Sequence, residues 1–309
     1  MIDNPRIAVV LLNYNSEEDL FISVDQIHKQ KNIDLVTIVV DNASNLNSIE
    51  KIQKWSKNFA SSSFSATTED TFKKISNNEI DQDVFSTFFI YNQENNGYSA
   101  GNNIGIRLAD YLNVDAVLIA NPDMRFEDEN YVYKLTKTLL SNESYAVASS
   151  RIVGLDGKDQ TPLRESSFLE EALWPLSYVK RISYVLPFDP EKIIMVPKTM
   201  GCCLLLRMTF LNEISYFDEG TFLYSEEPIL ATQVRNNGCK IVFNPTIKAI
   251  HAHKASEKDN SSKRMFEFIK SRKYYLANYS GYSKLQLRIL KLSYSVLGLW
   301  HLLKSRISN

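Results

Sequence analysis

Four short apolar runs, each closed by hydrogen-bonding residues and separated by helical text, constrain this chain most. Residues 7–12 read Ile-Ala-Val-Val-Leu-Leu and residues 35–40 read Leu-Val-Thr-Ile-Val-Val. Residues 85–91 and 116–120 are two more such runs. Runs this short, apolar throughout and rich in Val and Ile, fit strands covered on both faces. Between them the pattern turns helical. Ser16 can cap a helix with Glu17, Glu18 and Asp19 in its first turn. Residues 49–59 and 100–112 read as further helices. Strand and helix alternating at this spacing predict an α/β fold, with a mostly parallel sheet flanked by helices and right-handed crossovers.

Elsewhere the pattern changes. Residues 60–83 turn to Ser, Thr, Asn and Asp and read as a surface insertion, an exposed loop. Residues 161–198, with Trp174, Pro175, Tyr178, Tyr184 and Pro187, break the alternation. Residues 200–207 are apolar, 228–237 read as a helix with Pro228 at its first position, and 240–244 read as a strand. An apolar content of 44% excludes a disordered chain, and 10 Gly with 9 Pro exclude a collagen-like or linker-like one. Three cysteines, Cys202, Cys203 and Cys239, make no disulfide framework and fit a reducing, cytoplasmic setting. No run reaches the ~18 apolar residues of a spanning helix, and the first residues lack a signal-peptide layout.

The net charge of −1 is unevenly spread. From residue 254 onward 12 Lys and Arg face 3 Asp and Glu, and no acid follows Glu267. A basic tail on an acidic body predicts a polyanionic partner. Nucleic acid has no support beyond that charge, so a membrane surface is the expected partner. Within 284–309, Lys284, Arg288 and Lys291 precede an uncharged stretch holding Leu299, Trp300, Leu302 and Leu303. As an amphipathic helix it can lie at headgroup level. It can equally pack on the body or on a second copy as a homodimer contact.

In open parallel sheets, ligands bind beyond the carboxyl ends of the strands. The first apolar run is followed by Asn13-Tyr14-Asn15, and the second by Asp41-Asn42-Ala43-Ser44. The third leads to Asn95-Asn96-Gly97-Tyr98-Ser99-Ala100-Gly101-Asn102-Asn103, and the fourth to Asn121-Pro122-Asp123. Turn chemistry explains any one of these, but four at one sheet edge predict a ligand crevice. Asp41 can accept hydrogen bonds from a base or ribose. Gly97 and Gly101 permit close backbone approach at a helix start, where an anion is favoured. They form neither a dinucleotide fingerprint nor a P-loop. Asp123 reads as a turn residue or a ligand for Mg²⁺ or Mn²⁺. His251 can add an imidazole, which tilts the choice toward Mn²⁺, although His251 and His253 read equally as structural histidines. Glu226 and Glu227 read either as dipole partners at a helix start or as a general base.

These pieces resemble glycosyltransferase family 2, the inverting sugar transferases of the GT-A fold, and within it the rhamnosyltransferase-like members. The matching segments are Val-Val-Leu-Leu-Asn-Tyr-Asn-Ser at 9–16, Val-Val-Asp-Asn-Ala-Ser at 39–44 and Glu-Asn-Asn-Gly-Tyr-Ser-Ala-Gly-Asn-Asn-Ile-Gly at 94–105. Asn-Pro-Asp at 121–123, Phe-Asp-Glu-Gly-Thr-Phe-Leu-Tyr-Ser-Glu-Glu at 217–227 and His-Ala-His-Lys-Ala-Ser at 251–256 complete the set.

The resemblance implies a nucleotide-sugar-binding, Rossmann-like GT-A domain over residues 1–256, with 161–198 on the acceptor side, and a basic amphipathic helical tail over 257–309. It gives Asp41 to the nucleobase, Asp123 and His251 to a metal or diphosphate, and Gly201 to the donor–acceptor junction. Glu227 takes the position of the catalytic base, with Glu226 beside it. Arg272 with Tyr274 is similar to a basic-aromatic stretch of some members. The implied activity is inverting, metal-dependent transfer of a hexose or rhamnose from a dTDP- or UDP-sugar. The acceptor would be a glycan or lipid-linked glycan in surface polysaccharide synthesis, at the cytoplasmic face of the membrane. Departures from the pattern are Glu226-Glu227 for Glu-Asp, Ile229 where Asp is usual and Gln233 where Arg is usual. They leave a catalytically silent sugar-nucleotide-binding or scaffold protein as the alternative.

Overall fold

The computed structural model describes residues 4–81, 84–174, 183–253 and 261–307. Its first half is the expected alternation. It runs β1 (Arg6–Asn13), α1 (Glu17–Ile27), β2 (Asp34–Asn42), α2 (Leu46–Ser56), β3 (Ser63–Thr67), α3 (Thr68–Ser76), β4 (Thr87–Asn92), α4 (Tyr98–Tyr111) and β5 (Ala116–Ala120). Strand β1 pairs parallel with both β2 and β5, and β4 pairs parallel with β2. The apolar run of β1 serves two cores. Ala8 and Val10 join the cluster that includes Ile104 and Leu108 of α4. Ile7, Val9 and Leu11 join the one that includes Leu20, Val24 and Ile27 of α1. Covering on both faces is why the run carries no polar alternation.

The second half is mixed. It contains β6 (Met124–Arg125), α5 (Tyr131–Leu140), β7 (Tyr145–Gly154), α6 (Phe168–Ala172), β8 (Ile194–Val196) and β9 (Cys203–Arg207). Then follow α7 (Met208–Glu213), α8 (Glu226–Asn236), β10 (Lys240–His251), α9 (Ser261–Asn278) and α10 (Lys284–Ile307). The sheet order is β3-β4-β2-β1-β5-β9-β7-β10-β6, with β8 paired to β10. Strand β9 runs antiparallel between β5 and β7, while β7 and β10 are parallel.

Four local expectations change. Residues 60–83 are not a loop: β3 adds a parallel edge strand beside β4, and α3 follows, capped by the Thr67 side chain. An edge strand and an outer helix bury little, and in α3 only Thr71 is buried, so the stretch reads as polar. Ser16 does not cap α1, because its hydroxyl donates to the Tyr14 carbonyl at 3.2 Å. Helix α8 begins at Glu226, which puts Pro228 inside its first turn. Strand β10 continues to His251, with a register shift between Asn244 and Lys248 that passes Pro245 without needing its missing N–H.

Helices α9 and α10 pack over the body. Leu290, Tyr294 and Leu297 of α10 are buried with Ile269 and Leu276 of α9 and Ile229 of α8. The opposite stripe of α10, from Leu285 through Ile289, Leu292, Val296 and Leu299, stays exposed, as do Trp300 and Leu302. Among the described residues no helix is long and apolar enough to cross a membrane. Pro175, Tyr178, residues 254–260 and the side chain of Leu303 lie outside the described part.

Candidate active site

The strand-end residues converge. At the end of β1 the buried Asn13 amide donates to Asp41 Oδ1 at 2.8 Å and to the Ser44 hydroxyl at 3.2 Å. Asp41 Oδ2 accepts the Ser44 N–H at 3.0 Å. The buried Asp41 carboxylate is therefore locked in place. Asn15, in the left-handed region at φ 53°, accepts from both the backbone and the side chain of Asn45. Tyr14 and Asn96 stand exposed at the rim. Asn42 donates to Asn95 Oδ1 and the Gly97 carbonyl, which fastens the entry to α4 onto β2.

Gly97 is required by its position. Its φ is +98°, and a Cβ there would lie 2.2 Å from the Phe222 carbonyl oxygen. The Tyr98 N–H donates to that same carbonyl at 2.8 Å, so α4 is joined to the segment leading into Glu226. Gly101 lets α4 settle on Leu12 of β1. Asn102 donates to the Tyr98 carbonyl and keeps its Oδ1 buried without a partner.

At the other end of the edge Asp123, His251 and His253 meet. Their ligand atoms all lie within 4.8 Å of one another. Asp123 Oδ2 is 3.4 Å from His251 Nε2 and 3.2 Å from His253 Nδ1. Among the described residues, Asp123 Oδ1 is buried with no hydrogen-bond partner. Gln160 Oε1 lies 2.8 Å from His251 Nδ1, which orients the ring so that Nε2 faces Asp123. Burial alone would raise the Asp123 pKa, but the two histidines hold it below the ordinary carboxylate range. One carboxylate and two imidazoles facing inward, with an orphaned oxygen, fit a divalent ion, and the nitrogen content favours Mn²⁺ over Mg²⁺. Asp123 and His251 are the two ligands expected from the sequence. His253 joins them, and the His-Ala-His spacing was its signal.

The acidic pair sits where α8 begins. Tyr224 and Ser225, just ahead of it, both take positive φ, 73° and 68°. Glu227 Oε1 accepts the Gly201 N–H at 3.3 Å, and the Gly201 carbonyl accepts the Tyr98 hydroxyl at 2.6 Å. Gly201 thus bridges two site elements through its backbone. Burial, and then the Glu227 charge, push the Glu226 carboxyl up to about 8, and Glu226 Oε1 has no partner. A cavity of about 570 Å³ opens between this pair, the strand edge and the last two helices. Gly201, Glu226, Glu227, His251, Lys198 and Arg272 are among its lining residues. Gln160 carries no local signal in the sequence, because its partner His251 is distant along the chain.

A parallel half-sheet with polar strand ends, extended by an antiparallel strand and an acid–histidine edge, is the GT-A glycosyltransferase fold. The chain is 26% identical over 296 residues to the low-salt glycan biosynthesis hexosyltransferase Agl10 of Haloferax volcanii. That alignment covers 94% of this chain and 81% of Agl10. Among solved structures, it resembles the mannosyltransferase PcManGT of Pyrobaculum calidifontis, solved with GDP-Man and Mn²⁺, at TM-score 0.57 and 14% identity. The match covers 94% of this chain and 70% of PcManGT. GalNAc-T7, solved with UDP, GalNAc and Mn²⁺, gives TM-score 0.57 at 13% identity, over 95% of this chain and 55% of that one. S. aureus TarS 1–349 gives 0.53 at 13%, over 94% and 70%. No family model matches the chain.

Proposed function

We propose that this chain is an inverting, family-2-type glycosyltransferase. It moves a hexose or rhamnose from a dTDP- or UDP-linked donor to a hydroxyl of a glycan or lipid-linked glycan in surface polysaccharide synthesis. The observation that carries the reading is that Glu227 and His251, the latter in contact with Asp123, line one cavity. Residues 1–256 would form the transferase part, and 257–309 the helical tail.

Asn13, Tyr14, Asn15, Asp41, Asn42, Asn96, Gly97, Gly101 and Asn102 would hold the nucleotide along the strand ends. Asn121, Asp123, His251 and His253 would face the diphosphate. A divalent ion held by Asp123, His251 and His253 would supply Lewis-acid stabilisation of the departing diphosphate. Glu227, oriented by the Gly201 N–H, takes the proton of the acceptor hydroxyl, and the oxygen attacks the anomeric carbon from the face opposite the leaving group. Glu226, pushed up to about 8 by burial and the Glu227 charge, would stand beside it as the protonated acid near neutral pH. Positioning in the cavity supplies much of the remaining acceleration.

The test is a screen of nucleotide-sugar binding and hydrolysis with Mn²⁺, Mg²⁺ or EDTA. Glu227→Gln is expected to keep nucleotide affinity and to lose about 10²–10⁴ in turnover. Asp123→Ala and His253→Ala are expected to weaken Mn²⁺ binding at least tenfold. A folded protein that binds no nucleotide sugar would sink the reading. Binding without turnover, with an acceptor panel supplied, would favour a silent binding protein. Ile229 argues in that direction, since its apolar side chain is buried against α9 where the resemblance expects an acid.

The exposed apolar stripe of α10, flanked by Lys284, Arg288 and Lys291, suits a peripheral attachment to an anionic membrane surface. A homodimer contact is the competing occupant.

A further inference from the structure

Among the described residues, the cavity beside Glu227 holds one cation left without a carboxylate. Among its charged lining residues, Glu170 is tied to Arg164, and Glu171 to Arg272 with the Tyr294 hydroxyl added. Glu226 is neutral near pH 7, since burial and the Glu227 charge push its carboxyl up to about 8. With His251 set against Asp123, that leaves Glu227 and Lys198. Lys198 is half-buried in the segment before β9 and is fixed by its backbone, its carbonyl accepting the Leu163 N–H at 3.0 Å. Its ammonium makes no ion pair within 4.0 Å among the described residues. Burial lowers its pKa, and the Glu227 charge acts against that lowering. An ammonium partly withdrawn from water and lacking a direct partner is better stabilised when a ligand supplies the anion.

We propose that Lys198 makes this cavity selective for an acceptor bearing an anionic group, a carboxylate or a phosphate, near its attacking hydroxyl. The inference rests on the transferase reading and names the substrate class it leaves open. The cavity would take the acceptor hydroxyl at Glu227 and the negative group at Lys198. No covalent chemistry falls to Lys198. The alternative is that Lys198 serves only as a countercharge to Glu227.

Calorimetric titration of the full chain tests this without turnover. The probes are octyl β-glucuronide for a carboxylate, decyl phosphate for a lipid phosphate, and octyl β-glucoside as the neutral match. The wild type is expected to bind one or both anionic probes at least tenfold more tightly than the glucoside. Lys198→Met is expected to lose that preference and Lys198→Arg to retain it. Which anionic probe prevails identifies the source of the charge. Equal affinity for all three probes, no binding of either anion, or a preference that survives Lys198→Met would overturn the inference. A Lys198→Met effect confined to the pH profile of turnover would assign the lysine to Glu227 instead. UDP, dTDP and GDP binding with Mn²⁺, measured on the same protein, reports separately on the transferase reading.

Discussion

Glu226 and Glu227 are adjacent, yet Glu227 receives the Gly201 N–H while Glu226 Oε1 faces the interior unpartnered. The difference has a thermodynamic consequence. Burial, followed by the neighbouring charge, raises the Glu226 carboxyl from its ordinary 4.5 to about 8. Between those values the folded protein holds a proton that the unfolded chain releases. The stability contributed by this group is full below pH ~4.5 and is lost as the pH rises to about 8. Glu226→Gln mimics the protonated acid. It is expected to match the wild type near pH 4.5 and to exceed it by about 2–4 kcal/mol at pH 8. Urea unfolding at the two pH values reads this directly; parallel pH curves for the two proteins would refute it. At this scale the sequence was informative where chemistry follows a strand. Asn13, Asp41 and Asp123 are legible because the end of an apolar run marks the sheet edge. Gln160, which orients His251 from 91 positions away, has no such marker.

The loop from Phe217 to Ser225 brings the acidic pair into the site, and helices α4 and α9 with their flanking residues hold it. Asn103 of α4 bonds both the N–H and the carbonyl of Phe217. Tyr274 and Tyr279, on and just after α9, donate to Asp218, and Ser271 donates to the Leu223 carbonyl at 2.7 Å. Gly97 meets the Phe222 backbone directly. Gly97→Ala combines a positive φ with a backbone clash and is expected to cost about 2–4 kcal/mol. Turnover should fall more than nucleotide affinity, because the displaced loop carries Glu227. Thermal unfolding together with nucleotide titration checks both, and an alanine variant with wild-type melting would show that the approach is looser. At the scale of elements, the parallel strands were legible from apolar runs. The antiparallel insertion of β9 was not, since an apolar stretch states burial but not direction. Strand β3 was missed because an edge strand has only one neighbour and tolerates polar residues.

Over the whole molecule the charge asymmetry and α10 act together. Its buried stripe fastens it to α9, and its bare stripe presents leucines beside lysines and an arginine. With the peripheral attachment proposed above, wild type should co-sediment with phosphatidylglycerol vesicles and be released by raised salt. Leu292→Glu combined with Val296→Glu should reduce that binding at least tenfold while leaving the fold intact by circular dichroism. Wild type that stays in the supernatant, or that elutes as a dimer dispersed by the same variant, would move the stripe to a self-contact.

The last two helices also form a wall of the cavity, through Arg272 of α9 and Tyr294 and Leu297 of α10. The segment that looks most like an appendage is therefore part of the vessel that, on the proposed function, would hold the acceptor. An exchange of this segment between related chains would carry acceptor preference with it, while the donor half of the reaction stayed with the strand ends. On that reading, specificity toward the two substrates would be inherited in separable pieces of sequence, one of them also the surface that faces outward.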